Sequence, residues 1–404
     1  MPRHNKLKKF DGGVASTWEA EAISSGEEQL EEEFIQSPIA QQPTSLSKFI
    51  GTMPIVTNGR LIYVAHPSTL IEPGVHTQYV EEQIHTDTVP LDGGILLKTL
   101  ALSSDLYMRK RMRDPSIKMA FPALTLGKVV DNFGVGVVLR SENPSFKPGD
   151  HVYGYLNFEN YSVVHPAPGA ETSKDLFQVF KKLDKHPDLP ASIYVGSLGM
   201  NGQTAYSAWT AFAAEKAKTS KTLFVSSGAG PVGTFVIAYA RSTAPHLKIV
   251  ASAGSPEKLQ LMREAGADVV FNYKTTDAAE VLAEHGPIDI YWDHVAGATL
   301  DAAIQNMNLF GLIIRVGTNS GNAAGIQNTA MFVYKCLCMQ GIQVGLGDTM
   351  NKALEGFQEA ATKLVLDGKL KNTETRYHGI KEAGNALADI HRIQTLGKTV
   401  IVVD

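Results

Sequence analysis

The sequence predicts an α/β protein in two parts, a β-rich first half and a doubly wound parallel sheet with helices on both faces. Three observations lead there. Short alternating apolar segments broken by Pro and Gly fill Asn58 to about Pro190. Beyond Leu198, apolar strands alternate with amphipathic helical stretches, and the first of those strands runs into three glycines and then a helix. At 404 residues the chain exceeds what one core usually organises, so two domains are expected. With 44% apolar residues and no apolar run near the roughly 20 residues of a membrane span, it reads as soluble and without a membrane partner.

Residues 1–52 stand apart. A basic start (Arg3, Lys6, Lys8, Lys9) meets an acidic run from Glu27 to Glu33 and then Gln, Pro, Thr and Ser, which reads as a disordered extension in which only Ala20 to Phe34 has helical character. This segment carries 5 Lys/Arg against 8 Asp/Glu, so most of the formal charge of −4 lies there and the rest is nearly neutral. A body without a broad positive field is not expected to bind nucleic acid. Neither a secretory signal nor a transit peptide is legible at the start, and the cytoplasm is the expected location.

In the first half, strands are expected at Arg60–Val64, Gly94–Lys98 and Val135–Leu139, and Pro148-Gly149 forms a tight turn that launches another at His151–Tyr153. In the second half they are expected at Thr222–Ser226, Lys248–Ala253, Val269–Phe271, Ile288–Trp292, Gly311–Val316 and Gln340–Val344. Helices fall between them at Val232–Ser242, Pro256–Ala265, Thr276–Glu284 and Thr299–Asn306. Six strands with five connections suit a doubly wound fold. From Asp348 the pattern is helical, then a strand at Lys398–Val403 returns to the first half. The boundaries expected are 53–197 for the β part, 198–346 for the wound part and 347–404 for the return.

The turn Ser227-Gly228-Ala229-Gly230-Pro231-Val232-Gly233 follows an apolar strand and opens a helix, the context that makes G-x-G-x-x-G informative. Gly228 is expected to permit the sharp turn, Gly230 to admit a pyrophosphate and Gly233 to let helix and strand pack, with free N–H groups at the helix start. Where an NAD site carries a carboxylate for the ribose 2′-OH, the second strand ends Ser252-Ala253-Gly254-Ser255, and Lys258 follows one turn on. Charge complementarity therefore selects NADP(H) over NAD(H).

Several stretches together resemble the zinc-independent medium-chain dehydrogenase/reductases of the leukotriene B4 12-hydroxydehydrogenase, prostaglandin reductase and alkenal double-bond reductase group. They are Asp105-Leu-Tyr-Met-Arg109, Phe146-Lys-Pro-Gly-Asp150, Gly199–Tyr206, the glycine turn, Ser252–Lys258, Phe271-Asn-Tyr-Lys274, Ile288–Asp293 and Leu396-Gly-Lys398. The resemblance spans Leu61 to the C-terminus. It implies a GroES-like β domain for substrate, a Rossmann domain for NADP(H) and homodimerisation through the dinucleotide-domain sheet. It also implies that Gly230, Pro231, Val232 and Gly233 hold the pyrophosphate, Lys258 and Tyr273 the 2′-phosphate side, and Val316-Gly317-Thr318 the nicotinamide end. Two positions differ from the usual asparagines, with His294 in the fourth-strand motif and Thr395 before Leu396-Gly-Lys398, and both keep cofactor-binding capacity. In the loop Gly317–Asn322, Gly321 stands where several relatives have tyrosine.

Cys336 and Cys338 are the only cysteines. No histidine stands near them in sequence, so they are expected as ordinary buried cysteines, with no metal site and no disulfide framework. His66, His151 and His165 are expected as structural histidines. The segment Tyr107–Arg113 is expected at a pocket rim. Without a metal to polarise a carbonyl, the expected reaction is hydride transfer to the double bond of an α,β-unsaturated aldehyde or ketone. Alternatives are quinone reduction, a pathway-specific enone, or NADPH binding without turnover. Hydroxyls eligible as donors are those of Tyr107, Thr204, Tyr206, Thr318 and Ser320, and none is assigned.

Overall fold

A computed structural model describes residues 55–170, 178–321 and 325–403. The expected disorder of 1–52 and the helical character of Ala20–Phe34 lie outside the described residues. The first half contributes β1 (Ile55–Tyr63), β2 (Thr77–His85), β3 (Ile95–Ser104), α1 (Met108–Arg111), β4 (Asp131–Ser141), β5 (His151–Asn157), β6 (Tyr161–Val164) and β7 (Phe180–Lys182). β1 and β2 form their own antiparallel ribbon. The other strands build a seven-stranded sheet with two strands from the chain's end, β14 (Glu374–His378) and β15 (Lys398–Val402), in the order β14-β15-β3-β4-β5-β7. β3 is shared lengthwise: its first residues pair with β6, and Ala101–Ser104 pair with β15. That antiparallel pairing carries Lys398 beside Ser103–Asp105.

The second half opens with α2 (Met200–Ala208), which passes through a π-helical turn, Trp209–Ala213, into α3 (Ala214–Ala217). Then follow β8 (Thr222–Val225), α4 (Pro231–Thr243), β9 (Lys248–Ala253), α5 (Pro256–Ala265), β10 (Val269–Asn272), α6 (Ala278–His285), β11 (Ile288–Asp293), α7 (Gly297–Asn306), β12 (Met307–Arg315), α8 (Ala330–Tyr334) and β13 (Cys338–Gly341). The six strands are parallel, in the order β10-β9-β8-β11-β12-β13, with the topological switch between β8 and β11. Every residue of β8 and β11 is buried, as expected of central strands covered on both faces. α4 buries Phe235, Val236 and Ile237 in a core shared with residues of β8 and β9, each at most 1% exposed and each worth about 1.5–3 kcal/mol of burial. The chain then continues through α9 (Asp348–Lys352), α10 (Phe357–Leu366) and α11 (Ala383–His391) to β15.

Three expectations change. β13 starts two residues early and ends at Gly341 rather than Val344, because its register follows β12 only from Leu312 to Arg315. Cys336 and Cys338 are exposed, not buried: β13 is the outermost strand, and α8 buries none of its own residues against it. The Tyr107–Arg113 segment is not one surface, since Arg111 is buried and paired with Asp131 at 2.6 Å.

Candidate active site at the switch point

The glycine turn is shaped by what its neighbours leave no room for. A Cβ on Gly233 would stand 2.7–2.9 Å from the backbone of Gly228, and one on Gly228 would meet Met262 Sδ at 2.7 Å. These glycines press the start of α4 onto the sheet. A Cβ on Gly230 would meet only the Ser227 carbonyl oxygen, at 3.5 Å, so that glycine faces open space. The left-handed residue of the turn is Ser227 (φ 52), not Gly228, which corrects the role given to Gly228: it is required for packing. Pro231 occupies the first turn of α4, where its missing N–H costs nothing. Val232 and Gly233, whose amides belong to the helix's unpaired first turn, line the cleft.

Two cavities meet at this turn. The smaller, about 100 Å³, is lined by Gly230, Pro231, Lys258, Tyr273 and Thr395. Lys258 Nζ donates to the Ile393 carbonyl across it at 2.9 Å. The Tyr273 ring and Lys274 Cε would lie 2.9 and 3.0 Å from a Cβ on Gly254, so both side chains fold over that glycine. Burial and then the charge of Lys274 lower the pKa of Lys258. Lys274 is thus a second cation at this end. Lys274 closes the Phe271-Asn-Tyr-Lys274 stretch, and its position two residues beyond β10 is the sequence signal for it.

The larger cavity, about 450 Å³, shares Ser227, Gly230 and Pro231 with the smaller one and continues along Val232, Gly233, His294, Gly317 and Thr318. His294 follows β11, and its Nδ1 lies 2.7 Å from the Ser226 carbonyl that ends β8, directly across the switch point. A carbonyl can only accept, so Nδ1 carries the proton and Nε2 is left as an acceptor. That Nε2 is buried without a partner among the described residues. Burial holds the imidazole below its ordinary pKa, hence neutral at pH 7.

The opposite wall comes from the seven-stranded sheet. Lys398 Nζ donates to Asp105 Oδ1 (2.6 Å), Ser103 Oγ (2.7 Å) and the Ser104 carbonyl (2.9 Å). Asn132 Nδ2 and Asn201 Nδ2 donate to the same carboxylate, at 3.0 and 3.2 Å. Burial works to raise the Asp105 pKa, but the Lys398 charge and hydrogen bonds from Lys398, Ser103 and Asn201 hold it below the usual value. The Asn132 carbonyl accepts from Tyr107. Since the single Tyr107 proton is committed there, the 2.6 Å contact between Tyr107 and Tyr155 has Tyr155 as donor. Phe121, Phe133 and Val344 supply apolar wall, and Arg109 and Lys110 stand at the rim.

Of the residues expected to bind a cofactor, Gly230, Pro231, Val232, Gly233, Lys258, Tyr273, His294, Gly317, Thr318 and Thr395 all line one cavity or the other, and Gly228 lines neither. The expected donors separate. Tyr206 is outside both cavities and donates to the Glu355 carbonyl at 2.9 Å. Thr204 bonds back to Met200 at 2.8 Å. Ser320 lines neither cavity, and Tyr107 is committed inward. Thr318 lines the larger cavity and accepts from Lys110 Nζ at 3.0 Å. His66 is bonded to Tyr63 and His165 to the Leu91 carbonyl. Among the described residues no group of three His, Cys, Asp or Glu is placed to hold a metal, and no helix is long and apolar enough to cross a membrane.

A parallel sheet with a glycine turn at its switch point, joined to a mainly antiparallel sheet that walls the cleft, defines a GroES-like plus Rossmann dinucleotide-binding architecture. Residues 231–359 match the zinc-binding dehydrogenase family, and residues 68–172 match a family described as the N-terminal domain of oxidoreductase. The chain is 33% identical over 318 residues to the NADP(+)-dependent 2-alkenal reductase of Nicotiana tabacum, covering 76% of this chain and 87% of that one. It is 33% identical over 321 residues to the (+)-pulegone reductase of Mentha piperita, covering 77% and 88%. The crystal structure of CurA in complex with NADPH from Vibrio vulnificus superposes with a TM-score of 0.72 at 25% identity, covering 86% of this chain and 99% of that one. The chain belongs to the medium-chain dehydrogenase/reductase superfamily, in the group that holds the alkenal and enone reductases.

Proposed function

We propose that this protein uses NADPH to reduce the carbon–carbon double bond of α,β-unsaturated aldehydes or ketones, without zinc. The supporting observation is the continuity of the cleft. Two cations, Lys258 and Lys274, stand at one end, the start of α4 at the middle, and a cavity of about 450 Å³ with apolar walls at the other. A 2′-phosphate suits the cations, a pyrophosphate the free amides of α4, and a nicotinamide the wall of His294, Gly317 and Thr318. Three features fit that cofactor: Gly230 leaves backbone bare to the cleft, Gly233 allows α4 to approach, and the orphaned His294 Nε2 accepts from a ribose hydroxyl or carboxamide. When bound, NADPH supplies the hydride.

The chain's own part is orientation and exclusion of water. The Lys398–Asp105–Asn132 network fixes the wall against which an enone lies, and Phe121, Phe133 and Val344 take its hydrocarbon. The described residues do not fit a catalytic zinc: Cys338 is on the outer strand with Cys336 just before it, and the one carboxylate among the described residues lining the cavity, Asp105, is already engaged by Lys398. Two exposed free thiols are consistent with a reducing compartment, and we propose the cytoplasm. The 2-alkenal and pulegone reductases named above support this choice over quinone reduction or non-catalytic NADPH binding. Single-turnover oxidation of NADPH with a panel of enals, enones and quinones tests it. Faster turnover of quinones than of every enone, or tight NADPH binding with no consumption, would overturn it.

We also propose a homodimer through β13. This edge strand is open, and Leu309, Phe310, Val333 and Tyr334 beside it are 59–76% exposed. A single monomeric species in sedimentation at micromolar concentration would exclude it.

A further inference from the structure

Of the five hydroxyls eligible as donors from the sequence, Thr318 lines the larger cavity with its proton uncommitted. Tyr107, Thr204 and Tyr206 each donate inward. Thr318 Oγ1 instead accepts from Lys110 Nζ at 3.0 Å, and its own O–H has no acceptor among the described residues. The two residues come from opposite sides of the cleft: Lys110 from α1, beyond the seven-stranded sheet, and Thr318 from the loop after β12. That loop is pinned by Asn319 N to the His294 carbonyl at 2.8 Å and by Gly321 N to the Thr318 carbonyl at 3.0 Å. At Gly321 (φ 66) a Cβ would meet only Arg109 Nη2, at 3.5 Å. The loop thus brings no side chain in at Gly321, and its polar side chains in the cavity are those of Thr318 and Asn319, of which Thr318 carries the hydroxyl.

We propose that Thr318 delivers the proton to the α-carbon of the reduced enone and that Lys110 replenishes it. This rests on the enone-reductase reading above. The β-carbon gains a hydrogen and an electron pair from the reduced nicotinamide, and the π electrons move to leave an enolate. The Thr318 O–H bond breaks as the α-carbon–hydrogen bond forms, and a Lys110 N–H proton passes to Thr318 Oγ1. Lys110 is left as a neutral amine. Being exposed, it regains its proton from water. A threonine hydroxyl alone is a poor acid because it would become an alkoxide; an ammonium donating into the same oxygen removes that charge as it develops. Thr318 is the catalytic residue, and Lys110 acts through it.

Arginine separates proton supply from hydrogen bonding, because a guanidinium can bond to Thr318 but does not give up its proton. The full-length protein would be compared with Lys110→Met, Lys110→Arg, Thr318→Val and Thr318→Ser, using NADPH and 3-penten-2-one. NADPH dissociation constants come from fluorescence quenching, and kcat, KM and the solvent deuterium isotope effect from steady-state rates. Both Lys110 variants are expected to lose about 100-fold in kcat with a larger isotope effect. Their NADPH affinity should stay within about twofold, since the cofactor's phosphate sites lie elsewhere. Thr318→Ser should exceed Thr318→Val at least about tenfold, because only serine keeps the hydroxyl. Full kcat in Lys110→Arg would reduce the contact to a structural bond and overturn the relay, as would unchanged kcat in Lys110→Met. A wild-type protein inert to every enone overturns the function itself, and the relay with it.

Discussion

Replacing Lys258 by Glu gives a quantitative test of the cofactor end. In the free protein Lys258 Nζ spends its hydrogen bond on the Ile393 carbonyl at 2.9 Å, inside the cavity of about 100 Å³ that it shares with Tyr273 and Thr395. A unit cation and a unit anion about 4 Å apart attract by roughly 4 kcal/mol at an effective dielectric near 20. Lys258 is only half-buried, so solvent screening reduces this to about 1.5 kcal/mol. Charge reversal removes that attraction and adds repulsion of similar size, about 3 kcal/mol in all. This corresponds to roughly a hundredfold in the NADPH dissociation constant. Lys274 remains and keeps the loss from growing further. NADH has no 2′-phosphate, so its constant should move less than about threefold. Fluorescence titration of both dinucleotides against wild type and variant gives the comparison, and unchanged NADH binding certifies the fold. An equal change for NADPH and NADH would refute the assignment of Lys258 to a 2′-phosphate.

Gly233→Ala drives a Cβ to within 2.7–2.9 Å of the Gly228 backbone, so α4 must retreat. A loss of about 1–3 kcal/mol is expected, read as a lower thermal midpoint and weaker NADPH binding, whereas Gly230→Ala should leave stability nearly unchanged. Lys398→Met strands the Asp105 carboxylate, whose partner side chain is 3% exposed, and should cost about 3–5 kcal/mol by denaturant titration. Adding Asp105→Asn should recover part of that loss; no recovery would deny the coupling. His391 is held down to about 4 from 6.5, chiefly by burial and further by the Arg109 charge. As pH falls the unfolded chain therefore takes up its proton first. Stability that is complete above about pH 6.5 is lost toward pH 4, by about 3 kcal/mol. His294 is depressed in the same direction, so His391→Gln should flatten the profile without abolishing its slope.

What could be read from the sequence is what one segment decides for itself. The glycine turn, the wound strands and the helices between them are contiguous patterns, and they fold within a few residues of expectation. β2 and β14 were missed because Thr77–His85 and Glu374–His378 are polar strands at sheet edges, where alternation is weak. α2 was missed because every residue of it but Met200 is buried, so no amphipathic period marks it. The exposure of Cys336 and Cys338 is a property of strand order, which puts β13 outermost. The same limit applies to the site: Asp105 and Lys398 lie in separate quoted motifs 293 positions apart, and only the antiparallel pairing of β15 with β3 makes them a pair.

Both ends of the cleft are bridged by a lysine that donates to the opposite wall, Lys258 to the Ile393 carbonyl and Lys110 to Thr318 Oγ1. The two bridges differ in what a bound dinucleotide must do to them. A 2′-phosphate competes directly for Lys258, exchanging a neutral carbonyl acceptor for a charged one, a trade that favours the ligand because charge-assisted hydrogen bonds are roughly twice as strong. It also relieves the mutual repulsion of Lys258 and Lys274. On the proposed reading no phosphate reaches Lys110, whose acceptor is the Thr318 hydroxyl, so that bridge is expected to persist when the dinucleotide binds and to hold the loop to α1. The proposed roles thus divide: one lysine would be released to bind the cofactor, and the other would stay bonded across the cleft to serve the reaction.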